Sequence, residues 1–521
     1  MVLAIEELYQ KVVSKYSTRM SPGVLFGYQA GNFIAGYGPN GYLWDTPHGN
    51  WTGSPSVEVG HSNAFPDLIE LAITNAESFI DITTMKAPTG RFRSAIVNGL
   101  KTLAKNKKTV TVRLLIGIPA IYDNRPNWWD WLNDIKKDMG NLSGYITLDL
   151  GVYQYWTVQV YPESWNHSKI IAIDGKILFT GGHNLWAEDY LGTSPIFDLT
   201  LRYDGPIAKA GHDYADRLWD FIRQHNRTIH TYSHRLRPDM RIENDPPAFS
   251  PMFNAPPRGT TKAMWVGEPG WGIFKDSSGK DFKDSPMRYA FIEALATASH
   301  CRISQQSLGS MKCDLPGPPP QFSIRRSDYL VDPMIFHHTP ESGGHYYNLP
   351  LIDALAEFLR RNSGSRVLEI LMSPPDGGRY TNGEAGGAIF DLLAYRMRAH
   401  DPFRNFTKQQ FVERFKSQIR LVWPAITGPG GPVRFWGVNN AAMATHAKFW
   451  MLDSRLYYVG SENFYPIVAT SGSLYVEGGL QEFGVIAEVE NNFQDVIVGQ
   501  YHGLAMQYGF PREPELGDFT F

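Results

Sequence analysis

The chain predicts an α/β fold built as two similar α/β/α sandwich halves with largely parallel mixed sheets. A pseudo-twofold axis should relate the halves and place the functional site at their interface. Three observations carry this. A short motif occurs twice, at His167 and again at His446; a helix–strand pattern recurs around each copy; and a proline-rich stretch lies between them.

Taken in order, Phe65 to Ile82 reads as an amphipathic helix running into an apolar strand, and Phe92 to Ala104 with Val110 to Ile116 repeats the unit. Helices that alternate with apolar strands build layered sheets with parallel pairing. The first motif follows. Ile170 to Ile173 and Lys176 to Thr180 read as two buried strands around the tight turn Asp174-Gly175. Residues 237–259, with Pro246-Pro247 and Pro256-Pro257, form the best linker, so 1–236 and 260–521 are the expected halves. The second half restarts the series with Asp284 to Ile303, then Leu349 to Arg361 with Val367 to Met372. It closes on a second hairpin turning at Asp453-Ser454 and returning through Leu456 to Val459. Two half-sites, one per half, would then meet where the halves join.

The motif itself is the most informative feature. His167-x-Lys169-x4-Asp174 is followed by Gly181-Gly182-x-Asn184, and His446-x-Lys448-x4-Asp453 by Gly460-Ser461-x-Asn463, with His, Lys, Asp, the first Gly and Asn at identical offsets. One such pattern arises by chance in on the order of a few per hundred chains of this length. A matched pair does not. Side chains alternate along a strand, so each His projects from the same face as the Lys two positions on. A lysine is a poor choice for a buried strand unless it meets an anion. The glycines after each return strand admit close approach of backbone or substrate. Asp174 and Asp453, beyond the strand turns, should tie the hairpins down without touching substrate.

Two lysines and two asparagines converging would hold the non-bridging oxygens of a phosphate and stabilise charge developing there. One histidine can then attack phosphorus while the other protonates the leaving alcohol and activates the incoming water or alcohol. No metal and no cofactor is called for, since lysine is no metal ligand and no helical His-x-x-x-His or Cys pairing occurs. The adjacent His337-His338 pair should sit in a loop or at the surface.

These residues resemble the phospholipase D superfamily. Trp165-Asn-His167-Ser-Lys169, Gly181-Gly-His-Asn184-Leu-Trp186 and Asp189-Tyr-Leu191 look like the first motif region of the secreted bacterial, actinomycete-type enzymes. Val266 to Asp276 looks like the glycine-rich opening of their second half, and Gly460 to Pro466 with Leu480 to Gly484 like their second motif region. The resemblance implies that His167 is the nucleophile and His446 the acid/base. It also implies an acidic residue after each motif that orients the histidine of the other half: Asp198 and Glu482. Glutamate in place of the expected aspartate is a departure whose longer reach would alter orientation or pKa. A Gly- and Ser-rich insertion between Pro466 and Leu480 is another, and could rim the site.

Composition agrees. Hydrophobic residues at 43%, charged residues at 19% and a net charge of −3 describe a globular chain of 521 residues with ample core. A pI near 6.6 argues against a nucleic-acid partner, which leaves a basic footprint. A phospholipid substrate and peripheral contact with a membrane or micelle surface are expected, from a monomer. No apolar run is long enough to span a bilayer, and the N-terminus does not read as a signal peptide, which sits awkwardly with a secreted relative. Cys301 and Cys313 leave a single bridge or two thiols equally open. Trp128-Trp129-Asp-Trp131, Trp265, Trp271 and Phe274 read as core or a helix face, with a lipid-contacting rim as the alternative.

Overall fold

In a computed structural model the described residues are 2–34, 43–46, 48–49, 57–117, 128–157, 160–192, 195–225, 232–236, 238, 242–243, 249–270, 273–280, 282, 284–306, 308–312, 322–325, 334–339, 343–361, 365–374, 386–424, 426–428, 431–433, 435–436, 441–465, 480–489, 502–503, 506 and 510–511. Trp271, Cys313 and the insertion after Pro466 lie outside them.

The elements that position the site are, in chain order, α1 (Ile5–Tyr16), β1 (Phe26–Asn32), α2 (Val59–Thr74), β2 (Phe79–Thr84), α3 (Gly90–Lys105), β3 (Val110–Gly117), β4 (Ile146–Thr157), β5 (Ile170–Ile173), β6 (Ile177–Gly181), β7 (Asp198–Asp204) and α4 (Ala208–His225). The second half continues with β8 (Thr261–Pro269), α5 (Pro286–Leu295), β9 (His300–Gln305), α6 (Leu349–Arg360), β10 (Val367–Met372), β11 (Ile419–Trp423), β12 (Lys448–Leu452), β13 (Leu456–Gly460) and β14 (Gln481–Glu488).

Two large sheets repeat one topology. In the first the order is β4-β3-β2-β5-β6-β7, extended by Leu43–Thr46 beside β7. In the second it is β11-β10-β9-β12-β13-β14, extended by β8 beside β14. Both sheets are mixed. Parallel pairing is confined to β2-β3-β4 and β9-β10-β11, where helical crossovers supply the length a parallel return needs. The motif strands are joined by three-residue turns and so pair antiparallel.

The apolar run of β5 shows why both faces are covered. Ile170 and Ala172 belong to the core under α4, and Ile171 and Ile173 to the core under α2 and α3. A strand buried on both sides reads as continuous hydrophobics. Burying such a side chain contributes roughly 1.5–3 kcal/mol relative to leaving it exposed.

One expected boundary is corrected. The N-terminal part of 1–236 does not belong wholly to the first half: β1 pairs antiparallel with β8 in the second sheet, and α1 packs on α5 and β8. The cause is apolar matching, since Ile5, Leu8, Val12 and Tyr16 form one buried helix face that joins the core of the second half. His337 is also corrected: it is a buried residue of the strand Met334–Thr339, not of a loop. Trp265 and Phe274 are core, and Trp131 packs against the first-half core from the helix Trp128–Met139. No helix among the described residues is long and apolar enough to cross a membrane.

Candidate active site

Each motif hairpin is anchored at the end away from the histidine. Asp174, with φ 51°, accepts from the backbone N–H groups of Glu77, Ser78 and Phe79 at 2.6, 2.9 and 2.9 Å. Asp453, with φ 50°, accepts from those of Ser299 and His300, both at 2.7 Å, and of Val2 at 3.1 Å. Each motif aspartate thus pins its turn to the loop that opens the central strand of its sheet, and both stand apart from the histidines.

At the other end the two halves interlock. Asn166 bridges Gln481, and Phe197 bridges Thr445, both in parallel sense across the interface. His167 donates its backbone N–H to Gln481 O at 3.0 Å, and His446 donates its own to Phe197 O at 2.7 Å. The next residue in each case supplies the carboxylate that holds the ring. His167 Nδ1 lies 2.8 Å from Glu482 Oε1, and His446 Nδ1 lies 2.9 Å from Asp198 Oδ2. Each histidine is therefore clamped, backbone and ring, by two consecutive residues of the opposite half. The two rings meet edge to face, with centroids 6.4 Å apart and planes at 72°.

The lysines frame the same space. Lys169 Nζ donates to His167 O at 2.6 Å and Lys448 Nζ to His446 O at 2.5 Å, and an ammonium has three donors to distribute. Asn184 Oδ1 and Asn463 Oδ1 are buried without a hydrogen-bond partner among the described residues. A buried amide atom so placed is costly, and rotation of either amide would present its N–H groups there instead. The same orphan recurs in both halves, as expected of a site that receives an oxygen-rich ligand.

Gly182 is required by close approach. A Cβ there would lie 2.0 Å from Asp198 Oδ1 and 2.8 Å from His446 O. A Cβ on Gly460 would fall 2.2 Å from the Tyr458 hydroxyl oxygen. At the position equivalent to Gly182 the second half carries Ser461, whose hydroxyl donates to Phe483 O and accepts from Phe483 N. The side without the glycine is the side with the longer carboxylate.

His167 is 6% exposed and His446 3%. Burial, and then the charges of Lys169 and Lys448, hold both well below the usual histidine range, which favours the neutral ring at each. Burial brings Lys169 down to about 8 and pushes Glu482 up to about 8, although Lys169, the Ser461 hydroxyl and Lys448 favour the Glu482 anion.

His167, His446, Asp198 and Glu482 are joined by direct contacts, Lys169 and Lys448 lie close enough to act on both rings, and Asn184 meets Asp198 through Tyr190. Tyr190 lies in the Asp189-Tyr-Leu191 stretch of the first motif region, but the sequence assigns it no role. Its hydroxyl donates to Asp198 Oδ2 at 2.9 Å, accepts from Asn184 N at 3.1 Å and lies 3.4 Å from His446 Nδ1. Nothing local in Asp189-Tyr190-Leu191 signals that reach. Among the described residues no group of three or more His, Cys, Asp or Glu is arranged to hold a metal ion.

No protein-family model matches the chain. Over 494 residues, 86% of this chain and 78% of the relative, it is 25% identical to a phospholipase D from Streptomyces antibioticus. Among solved structures, phosphatidylserine synthase from Haemophilus influenzae Rd KW20 aligns with TM-score 0.46 and 11% identity over 97% of this chain and 91% of that one. NucT from Helicobacter pylori aligns with TM-score 0.23 and 14% identity over 37% of this chain and 96% of its own. The chain resembles the phospholipase D superfamily, and within it bacterial phospholipase D, over most of its length.

Proposed function

We propose that this chain is a phosphodiesterase of the phospholipase D type. On this reading it hydrolyses glycerophospholipids to phosphatidic acid and free head group, and transfers the phosphatidyl group to alcohols, through a covalent phosphohistidine. The observation that carries the reading is the facing pair of histidines, each oriented by a carboxylate from the other half and flanked by a lysine and an asparagine. The Streptomyces relative's name supports the lipid substrate.

The phosphate sits between Lys169, Lys448, Asn184 and Asn463, whose donors match the charge on its non-bridging oxygens. His167 donates Nδ1–H to Glu482, which leaves the Nε2 lone pair to attack phosphorus. A P–N bond forms and the P–O bond to the head-group alcohol breaks as His446 Nε2 gives that oxygen its proton. His446 then takes a proton from water or an alcohol, whose oxygen attacks phosphorus and breaks the P–N bond. Burial and the two lysines favour neutral histidines, so the bound phosphate's own negative charge is what lets His446 carry the proton it delivers. Giving the attack to His167 rests on the resemblance.

A second reading keeps the chemistry and changes the diester, to a nucleic acid or a small molecule; the net charge of −3 weighs against the former. On the leading reading the partner is a lipid surface met peripherally by a monomer. The test is mass spectrometry of mixed phospholipid vesicles incubated with the chain, ethanol and EDTA. Phosphatidylethanol and phosphatidic acid are expected together, with no loss to the chelator, because lysines and asparagines rather than an ion hold the phosphate. Release from a nucleic acid or small diester, with no lipid product, would promote the second reading.

A further inference from the structure

Gln305 ends β9 and stands directly across from Lys448 in the β9–β12 ladder. Residues opposite one another in an antiparallel ladder project from the same face of the sheet. The Gln305 side chain therefore shares a face with Lys448, whose Nζ donates to His446 O at 2.5 Å. The next residue stays alongside: Gln306 donates its backbone N–H to Ala447 O at 3.2 Å, and its Oε1 lies 3.5 Å from Lys448 Nζ. The Gln305 carboxamide is thus on the His446 side of the site. Gln305 is 0% exposed, and neither its Oε1 nor its Nε2 has a hydrogen-bond partner among the described residues. Leaving both ends of a buried amide unpaired is costly, and turning the amide over changes nothing, because both atoms are orphans.

The first half has no carboxamide at this place. Phe79 and His300 open equivalent strands, since each gives its backbone N–H to its own motif aspartate. Gln305, at the end of β9, therefore corresponds to Thr84, at the end of β2. Thr84 is buried too, and its Oγ1 is likewise an orphan. Both halves keep an unpaired polar group where the central strand ends, a hydroxyl on the His167 side and a carboxamide on the His446 side. A primary amide differs from a hydroxyl in presenting an N–H and a C=O side by side. That pair fits a ligand that accepts and donates at once. The oxygens of an ionised phosphodiester only accept, whereas water and alcohols do both.

We propose that Gln305 seats the water that attacks the phosphohistidine, and so sets the partition between hydrolysis and transfer to alcohols. The inference deepens the reading given above and rests on it for the covalent intermediate and for His446 as the base. Gln305 Nε2–H donates to the water oxygen, and Oε1 accepts one of the two water protons. His446 Nε2 takes the other proton as the oxygen's free lone pair attacks phosphorus. The new P–O bond forms, the P–N bond breaks and its electron pair returns to His167 Nε2. An alcohol has a single O–H, which it must give to His446 in order to react. It forfeits the bond to Oε1, and its carbon falls where the second hydrogen of water would be. Water thus keeps one more neutral hydrogen bond than an alcohol in the transition state, worth roughly a factor of 3 to 10 in the rate ratio.

The experiment measures product partition by the full chain at one fixed ethanol concentration, on phosphatidylcholine vesicles and in parallel on bis(p-nitrophenyl) phosphate. The readouts are phosphatidylethanol over phosphatidic acid, and ethyl p-nitrophenyl phosphate over p-nitrophenyl phosphate. Gln305→Met is close to glutamine in volume but carries neither polar group. It should raise both ratios by roughly 3- to 10-fold through slower hydrolysis. Thr84→Val, which removes the orphan hydroxyl on the other side, should leave both ratios unchanged. Ratios that stay put in Gln305→Met while both products fall together would overturn the proposal, as would an equal rise in Thr84→Val. A crystal structure of the wild-type chain should show one ordered water bonded to both Nε2 and Oε1 of Gln305. Its absence would remove the seat, and this arm needs neither turnover nor a variant that folds. A chain that gives no lipid product but shifts its diester ratio in Gln305→Met would sink the phospholipid reading and keep the water seat.

Discussion

Glu482 reaches His167 at 2.8 Å, and Asp198, one methylene shorter, reaches His446 at 2.9 Å. The extra carbon does not lengthen the contact, because the backbone beneath it differs. Asp198 passes so close to residue 182 that only glycine fits, whereas residue 461 can be serine.

Glu482→Asp alone should therefore lower kcat by about 10- to 100-fold, since the shorter acid no longer fixes the His167 tautomer. Adding Ser461→Gly should recover part of the loss by letting the strand close in as it does at Gly182. A double-mutant cycle on turnover measures the coupling. Additive losses would show that the two positions are independent.

The histidines act as a unit, so His167→Ala and His446→Ala should each cost several orders of magnitude in turnover, about as much as both together. His446→Asn should leave a phosphatidyl or phosphoryl group on His167, visible as added mass on that peptide. Label on His446 alone would reverse the assignment.

The pH profile follows from the two groups brought to about 8, Glu482 from below and Lys169 from above. With Glu482 protonated, its O–H donates to His167 Nδ1, the ring proton moves to Nε2 and attack is blocked; activity therefore rises as pH climbs and that proton leaves. Lys169 is charged below its depressed value and loses phosphate affinity above it. A narrow bell near pH 8 is expected in kcat/KM, its limbs being apparent values of the coupled site. Activity flat from pH 5 to 10 would contradict it.

Asp174→Ala removes the acceptor of three backbone N–H groups and of the Ser78 hydroxyl. The cost should be about 2–4 kcal/mol of stability, read by denaturant unfolding. The substrate KM of the folded fraction should stay near wild type, as Asp174 does not line the site.

Much of this was legible in the sequence because the gene-level duplication shows at identical offsets. His, Lys, Asp and Asn could be matched one against another, and the hairpins followed from apolar runs around Asp turns. What stayed hidden depends on pairing between residues far apart. Tyr190 falls within a stretch the motif resemblance already covered, yet it matters through neighbours that only the folded interface supplies. Helix α1 was not anticipated at all, and which half its apolar face covers is set by the fold.

That misplaced segment bears on how the chain acquires its shape. Residues 5–32 contribute a helix and an edge strand to a sheet whose receiving strand, Thr261–Pro269, is made more than 200 residues later. During synthesis at roughly 5–20 residues per second, β1 waits at least ten seconds or so with its pairing edge and the apolar face of α1 uncovered. Contacts this distant in sequence slow folding and expose sticky surface meanwhile. A ribosome-associated chain stopped before Thr261 should therefore hold a first sheet already assembled, with its own leading segment still open to capture by a chaperone.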